Sequence, residues 1–240
     1  NCQALKAIEI PKSLTKTDTH YGAAFNSSGL ETVTFEEGVT KIPAKLFDQC
    51  TSLKEITIPD TVTEIGEWAF SYCTNLSQVT LSKNLTFIDY YAFDHCTSLK
   101  EIEIPKSLVT TGQYERGSFI DSGIEKISFE EGTEKIADRL FDDCSNLKEV
   151  VIPDTVTEIG NAAFMDCTNL ASVKLPSNLQ SLGGSAFENC VSLQEIEIPK
   201  SLNKVNESNY NGPFYESGLK TVIFADGTTE IAEYLFDGCT

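Results

Sequence analysis

Residues 50 to 72 read CTSLKEITIPDTVTEIGEWAFSY, and residues 73 to 95 read CTNLSQVTLSKNLTFIDYYAFDH. Each stretch opens on Cys, reaches Leu three residues later (Leu53, Leu76) and then alternates apolar residues, as at Ile56 and Ile58. Residues two apart point to the same face of a strand, so this segment predicts a short half-buried strand. Pro59 follows it, as Pro105, Pro153 and Pro199 do elsewhere, and Pro cannot donate to a continuing ladder. A second apolar pair, Val62 and Ile65, returns the chain to the interior. The segment Ala69–Phe70, repeated as Ala92–Phe93, Ala163–Phe164 and Ala186–Phe187, is expected to form a short helical turn with Phe as the largest core filler. One such coil cannot bury its own apolar residues, whereas stacked coils cover one another.

The unit recurs along the whole chain. The cysteines stand at 2, 50, 73, 96, 144, 167, 190 and 239, with separations of 48, 23, 23, 48, 23, 23 and 49. Eight cysteines in a small secreted chain would suggest a disulfide framework. Even spacing instead marks one position of a repeat, and the expected form is a ladder of buried thiols. The leading apolar residue recurs ten times, at Leu5, Leu30, Leu53, Leu76, Leu99, Ile124, Leu147, Leu170, Leu193 and Leu219. Every fourth step is longer, giving a larger unit of 94 residues, and residues 50–108 match residues 144–202 at 36 of 59 positions. Ten rungs at about 4.8 Å each give a rod or shallow arc about 50 Å long. The whole of residues 1–240 is read as one solenoid domain, a segment of a longer array.

The shared skeleton, Leu-x-x-Ile-x-Ile-Pro-x-x-Val-x-x-Ile-Gly-x-x-Ala-Phe-x-x-Cys, resembles the leucine-rich repeats of the BspA-like surface proteins. The resemblance covers essentially the whole chain. It implies a leucine-rich-repeat solenoid of the α/β horseshoe class, dominated by β structure, with a parallel sheet on its concave face. It further implies exposure at the cell surface or secretion, and adhesion to host matrix proteins or to macromolecules of neighbouring cells. The chain departs from the pattern where Cys gives way to Ser28–Gly29, Ser122–Gly123 and Ser217–Gly218.

Composition removes several functions. With 36 acidic and 18 basic side chains the formal charge is −18, opposite in sign to a phosphate-binding footprint. No stretch approaches the roughly 18 apolar residues of a membrane span. An apolar share of 40% is too high for disorder, which needs low hydrophobicity with high net charge. His20 and His95 are the only histidines, so a Ser-His-Asp arrangement has almost nothing to build on. There is no C-x-x-C pair for a metal and no phosphate loop. The pairs Glu36–Glu37 and Glu130–Glu131 sit in Phe-Glu-Glu-Gly turns and read as solvated. The expectation is therefore a non-enzyme with no cofactor, no metal, and no nucleic-acid partner.

Three surfaces remain. The outward strand positions carry Glu9, Glu55, Glu101, Glu103, Glu149, Glu195 and Glu197. In leucine-rich repeats this face is by analogy the ligand surface, so it is either a site for a basic ligand or a solubilising face. The position two before the core Phe is irregular, running Lys45, Trp68, Tyr91, Arg139, Ala162, Ser185 and Tyr234. Together with Tyr72, Phe87, Tyr90 and His95 it gathers the single Trp among other aromatics on two neighbouring rungs. Exposed Trp and Tyr are enriched at binding hot spots; the alternative is packing against a flanking segment. Three longer loops, Thr15–Ala24, Val109–Ser118 and Asn203–Pro213, carry His20, Tyr21, Tyr114, Arg116 and Tyr210 and either bind or are tolerated insertions. The partner is expected to be an extracellular protein or a glycan. The competing functions are a spacer that presents another domain and a glycan-binding module.

Overall fold

The computed structural model describes residues 2–17, 24–112, 116–206 and 210–239. His20, Tyr21 and Tyr114 lie outside them. Strands are numbered β1 to β18 in chain order. The first wall of the solenoid is made by β1 (Ala7–Ile10), β2 (Thr32–Phe35), β4 (Glu55–Thr57), β6 (Gln78–Thr80) and β8 (Glu101–Ile104). It continues through β10 (Lys126–Phe129), β12 (Glu149–Val151), β14 (Ser172–Lys174), β16 (Glu195–Ile198) and β18 (Thr221–Phe224). These ten strands pair two by two, all parallel, as β1-β2, β4-β6, β8-β10, β12-β14 and β16-β18.

The second wall is two four-stranded parallel ladders. One joins β3 (Lys41–Ile42), β5 (Glu64–Ile65), β7 (Phe87–Ile88) and β9 (Thr110–Thr111). The other joins β11 (Lys135–Ile136), β13 (Glu158–Ile159), β15 (Ser181–Gly183) and β17 (Lys204–Asn206). The four-repeat period of the sequence is thus a physical unit. The first ladder ends at β9, and Thr111 Oγ1 donates to the Asp138 carbonyl at 2.5 Å.

The third wall corrects the expected helical turn: there is no helix among the described residues. In a representative rung the amides alternate in direction. Trp68, Phe70 and Tyr72 donate to the Tyr90, Ala92 and Asp94 carbonyls of the next rung, while Ala69, Ser71 and Cys73 donate three residues back. The alternation requires two left-handed residues per turn. Lys45, Trp68, Tyr91, Arg139, Ala162, Ser185 and Tyr234 have φ between 49° and 60°, as do Gln49, Tyr72, His95, Asp143, Asp166 and Asn189 before each Cys. A helix needs consecutive right-handed residues, so the segment cannot be one.

Inside the three walls runs a column of stacked rings. Phe25, Phe47, Phe70, Phe93, Phe119, Phe141, Phe164, Phe187, Phe214 and Phe236 follow one another at centroid separations of 4.9 to 6.2 Å, within 21° of parallel. Beside it stands the thiol ladder. From Cys50 onward each Cys Sγ donates to the carbonyl of the core Phe one rung earlier, at 3.2 Å for Cys73, Cys96, Cys167 and Cys190. Ser28 and Ser122 occupy the same ladder and face Cys50 and Cys144. The Gly after each Ser shortens the turn by one residue. A Cβ on Gly29, Gly123 or Gly218 would stand 2.0 to 2.1 Å from a backbone oxygen of the preceding rung, which only glycine avoids.

Burial raises the thiols of Cys73, Cys96, Cys144, Cys167 and Cys190 well above the ordinary cysteine range. Cys2 and Cys239 are exposed, and the eight are free thiols. The reactive species is the thiolate, so a thiol reagent is expected to titrate two cysteines in the native chain and all eight in denaturant. Fast labelling of more than two under native conditions would contradict the ladder.

Candidate interaction surface

The strand face comes first because every outward position of the first wall is exposed, Glu55, Glu101, Glu103, Glu149, Glu195 and Glu197 included. A shallow concavity of about 770 Å³ lies along it from Glu31 to Ser128, lined by Glu55, Gln78, Glu101, Glu103 and Lys126. The glutamates occupy only every second rung. Glu55 is in register with Gln78, Glu101 with Lys126, Glu149 with Ser172 and Glu195 with Thr221. Like charges directly opposite would destabilise the pair, and the alternation separates them by two rungs, about 9.6 Å. A rim of ion pairs borders the face: Lys6–Glu31 at 2.8 Å, Lys100–Glu125 at 3.3 Å and Lys148–Glu125 at 3.5 Å. Lysine contacts hold Glu31 and Glu125 below the usual carboxylate range. The face is therefore acidic in alternation, not a continuous negative strip.

The aromatic residues fall into three places. Trp68, Tyr90 and Tyr91 form one cluster, with Trp68 stacked on Tyr91 at 5.6 Å and edge-on to Tyr90 at 5.4 Å. Lys45 Nζ lies 4.2 Å from the Trp68 ring centroid, a cation–π contact. The Tyr90 hydroxyl donates to Glu67. Trp68, Tyr90 and Tyr91 are each half-buried. Tyr72 and His95 form a second pair, stacked at 4.3 Å, with Tyr72 44% exposed. Phe87 is elsewhere, in β7 between Glu64 and Thr110.

Both clusters are built by the left-handed residues of the third wall. Trp68, Tyr91, Tyr72 and His95 all have positive φ, which turns successive side chains outward on adjacent rungs. Bulky residues seldom adopt that conformation, and such strain persists only where the surroundings enforce it. Here the inter-rung amide bonds enforce it at every turn, so the backbone sets the conformation and leaves the side chain free to vary.

The duplicated block shows what that freedom allows. Where Trp68 and Tyr91 stand in the first block, the second has Ala162 and Ser185, both buried. They are covered from within the chain: Arg139 Nε donates to the Tyr210 hydroxyl at 3.2 Å, and the guanidinium lies 5.2 Å from the Tyr210 ring centroid. A Cβ on Gly184 would stand 2.6 Å from Cβ of Tyr210. The third insertion therefore lays a tyrosine over a floor of small residues. In the first block the corresponding surface presents its own rings, with Gly112 of the second insertion beside Tyr90. Sequence reasoning missed the Arg139–Tyr210 bridge, whose members are 71 residues apart. Arg116 pairs with Asp143 at 3.8 Å.

Asp94 and Asp121 were also missed. They flank His95, with Nδ1 bonded to Asp94 and Nε2 3.7 Å from Asp121 Oδ2. No helix of the described residues is long and apolar enough to cross a membrane.

Comparison with known proteins gives a consistent result. The family model described as BspA type leucine rich repeat region matches residues 19–115 and 112–240, in six copies. A leucine-rich repeat protein from Eubacterium ventriosum is similar in structure, with a TM-score of 0.62 and 27% identity over 90% of this chain and 60% of that one. This chain thus spans about 60% of that protein's length. A leucine-rich repeat protein from Bacteroides ovatus has a TM-score of 0.51 and 22% identity, over 98% and 73% of the two chains. The pneumococcal vaccine antigen PcpA has a TM-score of 0.50 and 21% identity, over 96% and 71%. The last two show the shared fold. No curated protein matches the chain.

Proposed function

The chain belongs to the BspA-type leucine-rich repeat family, and from that premise we propose that it is a non-catalytic module, displayed at the cell surface or secreted, that binds an extracellular macromolecule. The partner class we favour is a protein of the host matrix or of a neighbouring cell, engaged in adhesion. The observation that carries this reading is the Trp68–Tyr90–Tyr91 cluster. Three large rings stand half-exposed, and two of them, Trp68 and Tyr91, occupy positions whose left-handed backbone recurs in other rungs with other side chains. In the duplicate, where the rings are absent, the chain covers the same surface itself with Arg139 and Tyr210. Rigid aromatic area of this kind supplies binding energy at little conformational cost.

The test is the double substitution Trp68→Ala with Tyr91→Ala. Neither ring belongs to the core column, so the thermal transition is expected to move by no more than a few degrees, in line with about 1 kcal/mol. Affinity for a partner recovered from extracellular matrix is expected to fall at least tenfold, since a hot-spot residue contributes about 2 kcal/mol or more. Undiminished affinity would remove the cluster from the interface. Binding to a glycan array that is lost in the same variant would make the partner a carbohydrate. The alternating glutamates favour a second reading for the strand face, a soluble spacer surface that binds nothing, and flat titrations against matrix proteins and glycans would support it.

A further inference from the structure

We propose that Asp94, His95 and Asp121 form a site for a divalent transition-metal ion of the zinc type, held between Nε2 of His95 and the carboxylate of Asp121. One ligand atom from each of the three residues lies within 4.8 Å of the others. The residues come from adjacent rungs, and the stacking of the solenoid brings them together.

The hydrogen-bonding pattern argues for a cation. The ring of His95 is fixed on two sides, by stacking on Tyr72 at 4.3 Å and by the bond from Nδ1 to Asp94. Asp94 is itself buried and accepts from Ser71 Oγ at 3.1 Å. A carboxylate only accepts, so the bond to Asp94 places a proton on Nδ1, and Nε2 is the ring nitrogen left to serve as a ligand. Nε2 faces Asp121 Oδ2 at 3.7 Å, too far for a hydrogen bond between them. The gap is one that a single bridging ion fills. Two ligands about 2.1 Å from a common zinc ion at the tetrahedral angle stand about 3.4 Å apart, a few tenths of an ångström from the observed separation.

Asp94 behind the ring then plays the role usual for a carboxylate at a metal-bound histidine, fixing the tautomer and raising the basicity of the ligand nitrogen. An imidazole with a carboxylate suits zinc and its first-row neighbours better than magnesium or calcium, which prefer all-oxygen sites. The side chains of His95 and Asp121 are 36% and 46% exposed, so an ion can enter from solvent. Further carboxylates lie near the site, with Asp143 following Asp121 along the stack and pairing with Arg116 at 3.8 Å. The duplicated block is an internal comparison. There Glu188, Asn189 and Glu216 take the places of Asp94, His95 and Asp121, and an asparagine cannot supply the imidazole ligand.

The experiment is a calorimetric titration of zinc chloride into the untagged chain carrying Cys2→Ser and Cys239→Ser, which removes the two exposed thiols as competing ligands. One equivalent per chain is expected to bind. His95→Asn, which installs the residue of the duplicate, and Asp121→Asn are each expected to weaken binding at least 30-fold, and Asp94→Asn about tenfold. Thermal transitions without zinc should be the same in the parent and in the two variants of the exposed ligands, His95→Asn and Asp121→Asn, so that their loss of binding reports on the site and not on folding. Equal stoichiometry and affinity in His95→Asn and its parent would overturn the proposal. So would no heat of binding at millimolar zinc.

Discussion

Phe164→Ala is expected to destabilise the solenoid by about 3–5 kcal/mol, the usual cost of truncating a buried Phe. The ring is fully buried and lies between Phe141 at 5.5 Å and Phe187 at 5.3 Å, 14° and 4° from parallel. Truncation removes two stacking contacts, each contributing about 0.5–1.5 kcal/mol beyond area burial. The cavity it leaves is closed off above and below by neighbouring rings and collapses poorly. A solenoid is held together by nearest-neighbour interfaces, so a weak central rung weakens both of its interfaces. Urea unfolding followed by circular dichroism should therefore show a lower midpoint and a broadened or divided transition. The same change at Phe25, a partly buried ring near one end of the column, should cost less and leave a single transition. A midpoint for Phe164→Ala equivalent to less than about 1 kcal/mol would mean that the ring column is not what the rungs depend on.

That column was legible from the repeat, because a residue that fills the core once per turn must recur once per turn. The spacing places Ile56, Ile58, Val62, Ile65, Phe70 and Cys73 in the interior, and all are buried. The alternation of the glutamates was equally legible, since Gln78, Lys126, Ser172 and Thr221 stand between them in the rung-by-rung alignment. The third wall was not. A segment such as Glu-Trp-Ala-Phe-Ser-Tyr contains nothing that marks Trp68 and Tyr72 as left-handed, because inter-rung bonds impose that conformation and the side chains do not choose it. The one signal was the residue before each Cys, where His95, Asp143, Asp166 and Asn189 are types enriched in the left-handed region. Contacts between rungs at different positions of the repeat, such as Arg139 with Tyr210, depend on the lateral direction of each side chain. A period along the chain carries no information about that direction.

Asp142→Asn is expected to stabilise the chain above pH 7 and to lose that advantage as the pH falls. The Asp142 side chain is fully buried, paired with Arg139 at 3.3 Å through Oδ2, while Oδ1 has no hydrogen-bond partner among the described residues. Burial pushes its carboxyl up to about 7 from an ordinary 3.8, with Arg139 opposing the shift and Asp166 adding to it. The sign follows from linkage. A carboxyl whose pKa is higher folded than unfolded binds its proton more tightly in the native state, so it opposes folding when charged, above pH 7, and ceases to do so as the pH drops toward 4. Raising the carboxyl from 3.8 to about 7, the attraction of Arg139 included, corresponds to at most ~4 kcal/mol; the buried asparagine amide, which brings donors of its own to satisfy, reduces the net gain to about 1–2 kcal/mol. The other carboxylates titrate alike in both proteins and cancel in the difference. Stability curves of parent and variant should thus lie apart at pH 8 and converge by about pH 4, and a gap independent of pH would show that Asp142 stays charged in the folded chain. The same pair tests the bridge over the second block. Arg139 is held from one side by Asp142 and reaches Tyr210 on the other, so if the carboxylate is what positions the guanidinium, Asp142→Asn should also loosen Tyr210 and raise its exposure to solvent quenchers.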